Sequence, residues 1–426
     1  MFFSLAMFFV GLVLCARQVL RNPPSAPKHI HYIRNVHHYQ RNDHLYQAPA
    51  NFTDTYANET KASRTSFRSG VTVFPDTYFG MSTVDSESYK PAGGGRFPEW
   101  ALGDTPYAIT PSIKMESDAL ARKRRVAIKN AMVHAWGGYK KYAFGCDELK
   151  PVSGECNRNW NELGNTLVDS LDTLWLMGLR KEFAEARDWV RDELSYDKDV
   201  YVSSFETTIR SLGGLLAAYD WSGDAAFLDK AEDLGDRLLK AFDTKSGLPW
   251  NQVNLKTGAG KNQQRSPMET SIAAAGSLQV EFRFLAHATG NQEYAEKSER
   301  AFDLLSSLSK DGLYANSVRN TLTEPSVGLK TDVTFGGSGD SFYEYMLKLW
   351  LQGGKTEWKY RDMYDESIEG MHKVLLQYTS KSQLAYIAQR DDPSFRKSKG
   401  TTKSVHRATF RLIPDMEHLA CFMGGE

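Results

Sequence analysis

A carboxylate and a guanidinium, Glu206 and Arg210, stand one helical turn apart in the stretch 203–219. At 3.6 residues per turn they share a stripe with Gly213 and Ala217, beside a neighbouring stripe of apolar residues. Two charges among small residues at the border of a core form a face that can line a cavity. The alternative is an exposed ion pair, which contributes only about 0.3 to 0.5 kcal/mol.

A second acidic group follows a glycine-rich loop. The loop Gly336-Gly-Ser-Gly339 permits close approach of a ligand, because glycine carries no side chain. Asp340, Glu344 and Lys348 then fall on one face of the helix that we predict after this loop. Asp340 and Glu206 both lie near the starts of predicted helices.

The elements that position these acids form a repeated helical hairpin, and no convincing strand is longer than a few residues. In each repeat an apolar helix ends at a glycine-containing turn, and an aromatic residue opens a more polar helix. The four turns lie at 177–179, 222–224, 289–291 and 353–355. Apolar helices walled in by amphipathic ones predict an all-α, αα-barrel domain with its site in the axial cavity.

The composition is that of a folded protein with no general attraction to charged polymers. The chain has 426 residues, 41% of them apolar and 12% aromatic, with 52 basic and 52 acidic residues. This balance does not favour binding to nucleic acid or to an anionic membrane surface. The aromatic content suits a carbohydrate or another uncharged polar ligand, although aromatic residues more often form core.

The first part of the chain predicts entry into the secretory pathway. Residues 1–16 are almost wholly apolar and read as a signal or signal-anchor segment, which is either cleaved or preceded by further sequence. Residues 17–111 predict a largely disordered lumenal stem, with sequons at Asn51 and Asn58. A group of histidines in this stem is expected to be solvated, with metal binding as the alternative. We assign 112–426 to the helical domain.

Three of the four cysteines lie outside the leader. Cys146 and Cys156 flank a short loop, so we expect a local disulfide between them in an oxidising compartment. Cys421 is then left unpaired.

Six ordered blocks of this sequence resemble the class I α-1,2-mannosidases, glycoside hydrolase family 47. The blocks are Ala131-Met-Val-His-Ala-Trp136, Asp147-Glu-Leu-Lys-Pro151, Asn165-Thr-Leu-Val-Asp-Ser-Leu-Asp-Thr-Leu174, Phe205-Glu-Thr-Thr-Ile-Arg210, Gly339-Asp-Ser-Phe-Tyr-Glu-Tyr345 and Met416-Glu-His-Leu-Ala-Cys-Phe422. The resemblance implies a barrel of seven helical hairpins, the (α/α)7 barrel. It covers about the first two thirds of the family's catalytic domain, so we expect an incomplete ring of about four to five hairpins.

The resemblance also implies a reaction and the residues that perform it. The family removes α-1,2-linked mannose from high-mannose N-glycans with inversion and depends on Ca²⁺, and inversion requires an acid and a base with room for water between them. Glu206 and Asp340 match the acid-side carboxylates, which protonate the leaving group directly or through water. Substrate-binding roles fall on Arg210, Glu344, Glu281 and His418. Partners would be N-glycans on glycoproteins, with membrane attachment through the leader and a lumenal site in the endoplasmic reticulum or Golgi.

Several departures from the family pattern bear on activity. The Arg-Pro-Glu motif that carries the family's base and the Asn-Thr-Glu motif that binds its calcium do not occur, so we expect no metal ligand within this chain. Ala274 stands where active members carry Glu, and Glu417 replaces an Asp beside His418. Cys421 resembles the first half of a family disulfide whose partner would fall beyond Glu426. We therefore read the chain as C-terminally truncated.

Two other interpretations stay open. The first is a non-catalytic, mannosidase-like protein that binds glycans during degradation of misfolded glycoproteins, which Ala274 and Glu417 favour. The second is an unrelated helical toroid that acts as a scaffold or as another hydrolase. The sequence does not distinguish the endoplasmic reticulum from the Golgi, nor does it define a preferred mannose branch.

Overall fold

The computed structural model describes residues 111–263, 266–329, 331–392 and 410–425. The predicted leader, most of the predicted stem with both sequons, and the histidine group lie outside the described residues. Among the helices of the described part, none combines the length and the apolar character that a membrane crossing requires.

The described chain opens with a long helix, α1 (Pro111–Ala143), whose last turns carry the buried residues Trp136 and Tyr139. A two-stranded hairpin follows, β1 (Glu148–Lys150) and β2 (Glu155–Asn157), in which Leu149 pairs with Cys156. The disulfide between Cys146 and Cys156 closes this hairpin at its base. The expected pairing of these two cysteines is confirmed, and Cys421 is free and exposed.

Four helical hairpins form the body of the described domain. Two short helices precede hairpins: α2 (Asn165–Asp169) the first, and α8 (Ile272–Gly276) the third. The first hairpin pairs α3 (Leu171–Leu176) with α4 (Arg180–Asp192). In the second, α5 (Ser204–Thr207) and α6 (Gly213–Ser222) together form the first helix, and α7 (Ala225–Leu239) is the second helix. The third pairs α9 (Gln279–Thr289) with α10 (Glu293–Ser306), and the fourth pairs α11 (Asp340–Gln352) with α12 (Trp358–Gly370).

All four predicted turns occur, and glycine ends the first helix of each hairpin. Gly223 after α6 and Gly290 after α9 have φ of 70° and 80°, the left-handed conformation that ends a helix at no steric cost to glycine. Gly178 and Gly354 also have positive φ at the corresponding turns. The predicted hairpin repeat is therefore confirmed.

The first helices of the hairpins pack side by side, and the second helices pack behind them. Helix α3 contacts α6, α6 contacts α9, and α9 contacts α11, while α4 contacts α7 and α7 contacts α10. Most of α6 is buried, whereas α7 and α10 alternate buried and exposed positions. This arrangement of inner and outer helices confirms the predicted fold class, and four hairpins occur in the described residues.

The inner helix that carries Glu206 begins earlier than its apolar run, which starts near Leu212. Ser203 caps it by accepting the backbone N–H of Glu206 at 3.2 Å. Between α5 and α6 the helix widens into a π segment, Thr208–Leu212. Such segments are rare and occur frequently at functional sites, and this one contains Arg210.

Aromatic rings fill the core between the last two hairpins. Phe342 and Tyr343, at the start of α11, are fully buried, and Tyr343 stacks on Phe335 with 3.9 Å between ring centroids. Burial of each such ring contributes about 2 to 3 kcal/mol. Tyr343 is therefore part of the core.

Short strands connect the hairpins and set the starts of inner helices. Strand β3 (Tyr201–Ser203) leads directly into α5, and β6 (Glu269–Ser271) leads directly into α8. The remaining strands are β4 (Gln252–Asn254), β5 (Gly260–Lys261), β7 (Ser317–Arg319), β8 (Ser326–Val327), β9 (Asp332–Val333), β10 (Leu376–Tyr378), β11 (Ala385–Ile387), β12 (Gln389–Asp391) and β13 (Arg411–Ile413). The antiparallel sheets have the orders β3-β4-β5, β6-β7-β8, β13-β12-β9 and β10-β11.

Candidate active site

Glu206 lies in the first turn of α5, directly after strand β3. The backbone N–H of Ser204 donates to the carbonyl of Asn251 at 2.9 Å, which ties this turn to the neighbouring loop. Glu206 itself stays partly accessible, with its side chain 32% exposed. A carboxylate fixed at its backbone and open at its side chain can meet a ligand.

Arg210 lies between two carboxylates. Its Nε donates to Oε2 of Glu206 at 2.8 Å, and its Nη1 lies 3.7 Å from Oδ2 of Asp169 at the end of α2. The ring of Trp160 covers the guanidinium at 5.4 Å. With one face covered and two acids engaged, Arg210 is held in a fixed orientation next to Glu206.

Asp169 and Asp172 are acids for which the sequence analysis proposed no role. Burial raises the pKa of Asp169 to about 7 against the opposing effect of Arg210. Burial likewise raises the pKa of Asp172 to about 6, although the N–H and hydroxyl of Thr173 donate to its carboxylate. The available signal was the position of each aspartate among the apolar residues of a short helix, which is unusual for this residue.

Asp340 begins α11 directly after the glycine-rich loop. Its backbone N–H donates to the carbonyl of Gly336 at 2.9 Å, so the loop folds back on the helix start. Ser338 has φ of 79°, a left-handed conformation that costs a non-glycine residue about 1 to 2 kcal/mol. Its carbonyl accepts the N–H of Ala273 at 3.0 Å, which fixes the loop against α8.

Three other acids lie close enough to Asp340 to affect its pKa. Its pKa is raised to about 6, first by burial and then by the negative charges of Glu344, Glu417 and Glu206. Helix α8 contacts both α5 and α11, so it bridges the elements that carry Glu206 and Asp340. The structure therefore brings the two predicted catalytic carboxylates into one electrostatic environment.

Glu417 and His418 lie at the edge of the glycine-rich loop. The N–H of Gly337 donates to Oε2 of Glu417 at 2.6 Å. His418 follows at the start of a 3₁₀ segment, His418–Gly424, and its residue is exposed. The longer side chain of Glu417 thus engages the loop before Asp340, while a sugar contact by His418 stays a prediction.

The two other predicted ligands differ in accessibility. Glu344 is 16% exposed and forms an ion pair with Lys348. Glu281, on α9, is only 2% exposed and accepts the hydroxyl of Tyr345 at 2.9 and 3.0 Å. Burial raises the pKa of Glu281 to about 7. Glu281 is thus more deeply buried than Glu344, and its direct contact with substrate stays a prediction.

The described residues do not fit the calcium ion that the family resemblance implies. Calcium takes six to eight oxygen ligands, and within the described ranges no group of three or more His, Cys, Asp or Glu residues is arranged to hold a metal.

A separate cavity of about 290 Å³ lies against the outer helix α7. None of the predicted site residues lines it. Its walls come from Asp233, Asp236, Arg237, Lys240 and the loop 255–258. It has no part in the site around Glu206 and Asp340.

Comparison with known proteins agrees with this fold. The sequence model of glycosyl hydrolase family 47 matches residues 131–426. The chain belongs to glycosyl hydrolase family 47. Its helical hairpins resemble those of the solved α-1,2-mannosidase from Trichoderma reesei, with a TM-score of 0.62 and 26% identity over 71% of this chain and 62% of that one.

Two curated relatives have similar sequences. Mannosyl-oligosaccharide 1,2-alpha-mannosidase MNS1 of Arabidopsis thaliana is 40% identical over 78% of this chain and 55% of its own length. The endoplasmic reticulum mannosyl-oligosaccharide 1,2-alpha-mannosidase of Homo sapiens is 42% identical over 71% of this chain and 40% of its own length. The chain thus spans about half the length of the curated relatives it matches.

Proposed function

We propose that the protein hydrolyses terminal α-1,2-linked mannose from high-mannose N-glycans, with inversion at the anomeric carbon. The observation that carries this proposal is the shared environment of Glu206 and Asp340, because glycoside hydrolysis needs a protonated carboxyl group beside the leaving oxygen. The names of the curated relatives, both mannosyl-oligosaccharide 1,2-alpha-mannosidases, support the same substrate class.

Asp340 has the properties of a proton donor. With a pKa of about 6 it keeps its proton to a far higher pH than an ordinary aspartate does. It gives that proton to the glycosidic oxygen, directly or through water, while Glu206 orients the group that receives it. Arg210, fixed by two acids, binds sugar hydroxyls. We assign no base among the described residues.

The substrate ligands follow from the positions of the remaining acids and His418. Glu344 lies one turn from Asp340 and faces the same side of α11, so we propose that it contacts the mannose ring. His418 is proposed to line the subsite of the departing mannose, and Glu281 is proposed as a further substrate ligand.

We further propose a lumenal protein of the endoplasmic reticulum or the Golgi. The apolar segment 1–16, the polar stretch that follows it and the two sequons support this location, as does the name of the human relative. Membrane attachment would occur through the N-terminal segment. Residues 112–426 would then form the lumenal part that meets glycoproteins.

A second function is glycan binding without cleavage, in the handling of misfolded glycoproteins. Two features favour it. Ala274 offers no carboxylate from α8, and position 417 carries a glutamate, which accepts the N–H of Gly337, where the family pattern has the shorter aspartate. In this case the site keeps Glu206, Arg210 and Glu344 for recognition. The chemistry of hydrolysis would be incomplete.

Incubation of the purified chain with a high-mannose N-glycan separates these functions. Proton NMR of the released sugar reports both cleavage and the anomer first formed. Hydrolysis with inversion yields β-mannose from the α-linkage, and the Asp340→Asn variant abolishes it. Glycan binding without release of mannose selects the second function, and absence of both overturns the proposal.

A further inference from the structure

A stripe of charged residues runs along α11 from the candidate site into the core. Asp340, Glu344 and Lys348 follow one another at intervals of four residues, so their side chains lie on one face of the helix. Asp340 is half-buried, the Glu344 side chain is 16% exposed and the Lys348 side chain is 5% exposed. The positive charge therefore lies at the buried end of the stripe.

Lys348 is surrounded by acids from two helices. It forms an ion pair with Glu344 on its own helix, and its charge opposes the rise in the pKa of Glu281 on α9. Tyr345 joins the group, since its hydroxyl donates to Glu281 and its ring centroid lies 5.6 Å from the Lys348 ammonium. Lysine is almost never buried without such partners.

We propose that Lys348 is a positioning residue of the acid site, whose ammonium holds the Glu344 carboxylate, in ionised form, beside Asp340. The geometry supports this assignment because the ion pair is shielded from water and Lys348 lies on the side of Glu344 away from Asp340. Its importance for catalysis rests on the proposed function, whereas the electrostatic link does not.

The consequence of this link is a property of Asp340. The charged groups that face Asp340 are Glu344 on its own helix, Glu206 from α5 and Glu417 from the segment before the 3₁₀ turn, and all three raise its pKa. Glu344 is the first named of these charges. Negative charge on Glu344 thus helps Asp340 to keep its proton, and the Lys348 ammonium is the cation paired with that charge.

Removal of the ammonium leaves Glu344 and Glu281 close together without a cation. These two acids then share a proton, as neighbouring buried carboxyl groups do, and less negative charge remains beside Asp340. The pKa of Asp340 should fall. A purely structural role for Lys348 predicts no such change in the Asp340 titration, because that titration reports the charges near Asp340 and not the stability of the fold.

Carboxyl-carbon NMR of the chain labelled with ¹³C-aspartate measures this link directly. The Asp340 signal is assigned through Asp340→Asn and titrated in the wild type, Lys348→Met, Lys348→Arg and Glu344→Gln. We expect the pKa of Asp340 to fall by about 1 in Lys348→Met and in Glu344→Gln, and to stay near the wild-type value in Lys348→Arg. Lys373→Met, which removes the exposed partner of Glu369 on another helix segment, is the matched control.

An unchanged Asp340 titration in folded Lys348→Met overturns the proposal. Should Lys348→Met fail to fold, the Glu344→Gln variant decides. A wild-type titration of Asp340 in that variant would show that Glu344 does not raise the pKa of Asp340, and this too overturns the proposal. No glycan enters this experiment, so a chain that releases no mannose still gives a result. Failure of the proposed function and failure of this inference are thereby distinguished.

Discussion

Arg210 lies in the π segment Thr208–Leu212 and donates to Glu206, one turn earlier on the same inner helix. This bond fixes an acid and a cation side by side at the start of an inner helix. Because Asp169 engages the same guanidinium from α2, the position of Arg210 depends on two separate elements. The site is therefore sensitive to the shape of the side chain at 210 as well as to its charge.

Arg210→Lys should weaken glycan binding about tenfold with little loss of stability. A lysine ammonium is a point charge and does not present the planar fork that serves Glu206 and Asp169 together. Calorimetric titration with α-1,2-mannobiose gives the affinity, and thermal unfolding followed by circular dichroism checks the fold. Arg191→Lys, at an exposed pair with Asp192, should bind as the wild type does. If Arg210→Lys binds mannobiose with the same affinity as the wild type, Arg210 does not contact the ligand.

Glu281→Gln should reduce the dependence of stability on pH. The folded-state pKa of Glu281 is about 7, above its unfolded value of about 4.3. Its contribution to stability is therefore fully present below pH of about 4 and is lost as pH rises through about 7. Between pH 5 and 8 the wild type should lose about 2 kcal/mol more than the variant, measured by urea unfolding.

The glutamine keeps an oxygen that can accept the Tyr345 hydroxyl, so the comparison isolates the ionisation. Glu293→Gln, at an exposed position of α10, serves as the control. Parallel pH profiles for wild type and Glu281→Gln would show that Glu281 does not titrate in this range in the folded protein.

Two glycines of the loop before Asp340 should respond differently to alanine. A Cβ at Gly339 would lie 2.2 Å from the carbonyl oxygen of Thr334, so the backbone would have to move. A Cβ at Gly336 would lie 2.4 Å from Oε2 of Glu417, whose side chain can rotate away. We expect Gly339→Ala to cost more than 2 kcal/mol and Gly336→Ala about 1 kcal/mol, the worth of the lost Gly337 bond.

Urea unfolding of both variants tests this order of effects. Gly336→Ala in the Glu417→Asp background should regain part of the loss, because a shorter side chain leaves room for the methyl group. Equal costs at the two glycines would mean that the loop relaxes as a unit.

Cys156→Ser should destabilise the described domain by about 2 to 3 kcal/mol. The disulfide to Cys146 closes a loop with a sequence separation of 10, and a loop of this size restricts the unfolded chain by about that amount. Denaturant unfolding measures the cost. Cys421→Ser, at the exposed free cysteine, should leave stability unchanged; a similar loss in both variants would contradict the assignment.

Local signals sufficed for the hairpins and for the acids at their starts. Each inner helix combines an apolar run with a terminal glycine, as at Gly223 and Gly290, and these features act within a few residues of one another. Asp340 was recognisable for the same reason, since it follows a glycine-rich loop and opens an apolar helix. The disulfide between Cys146 and Cys156 also closes a short segment.

Features that depend on contacts between distant parts of the chain could not be predicted from such local signals. The helix start at Ser204 follows from pairing of β3 with β4 and from the cap at Ser203, not from apolar periodicity. The role of Asp169 depends on Arg210, 41 positions along the numbering (210 minus 169). The sequence placed Glu281 among the ligands, whereas its burial depends on how α9 packs against α11.

Binding of α-1,2-mannobiose, measured by calorimetry on the wild type, Glu206→Gln and Asp340→Asn, tests most directly whether these two acids belong to one sugar site. We expect each substitution to weaken binding by at least about tenfold, since each removes a carboxyl partner of a sugar hydroxyl. Glu185→Gln, on the outer helix α4, should bind as the wild type does. Wild-type affinity in either folded site variant would contradict the shared site.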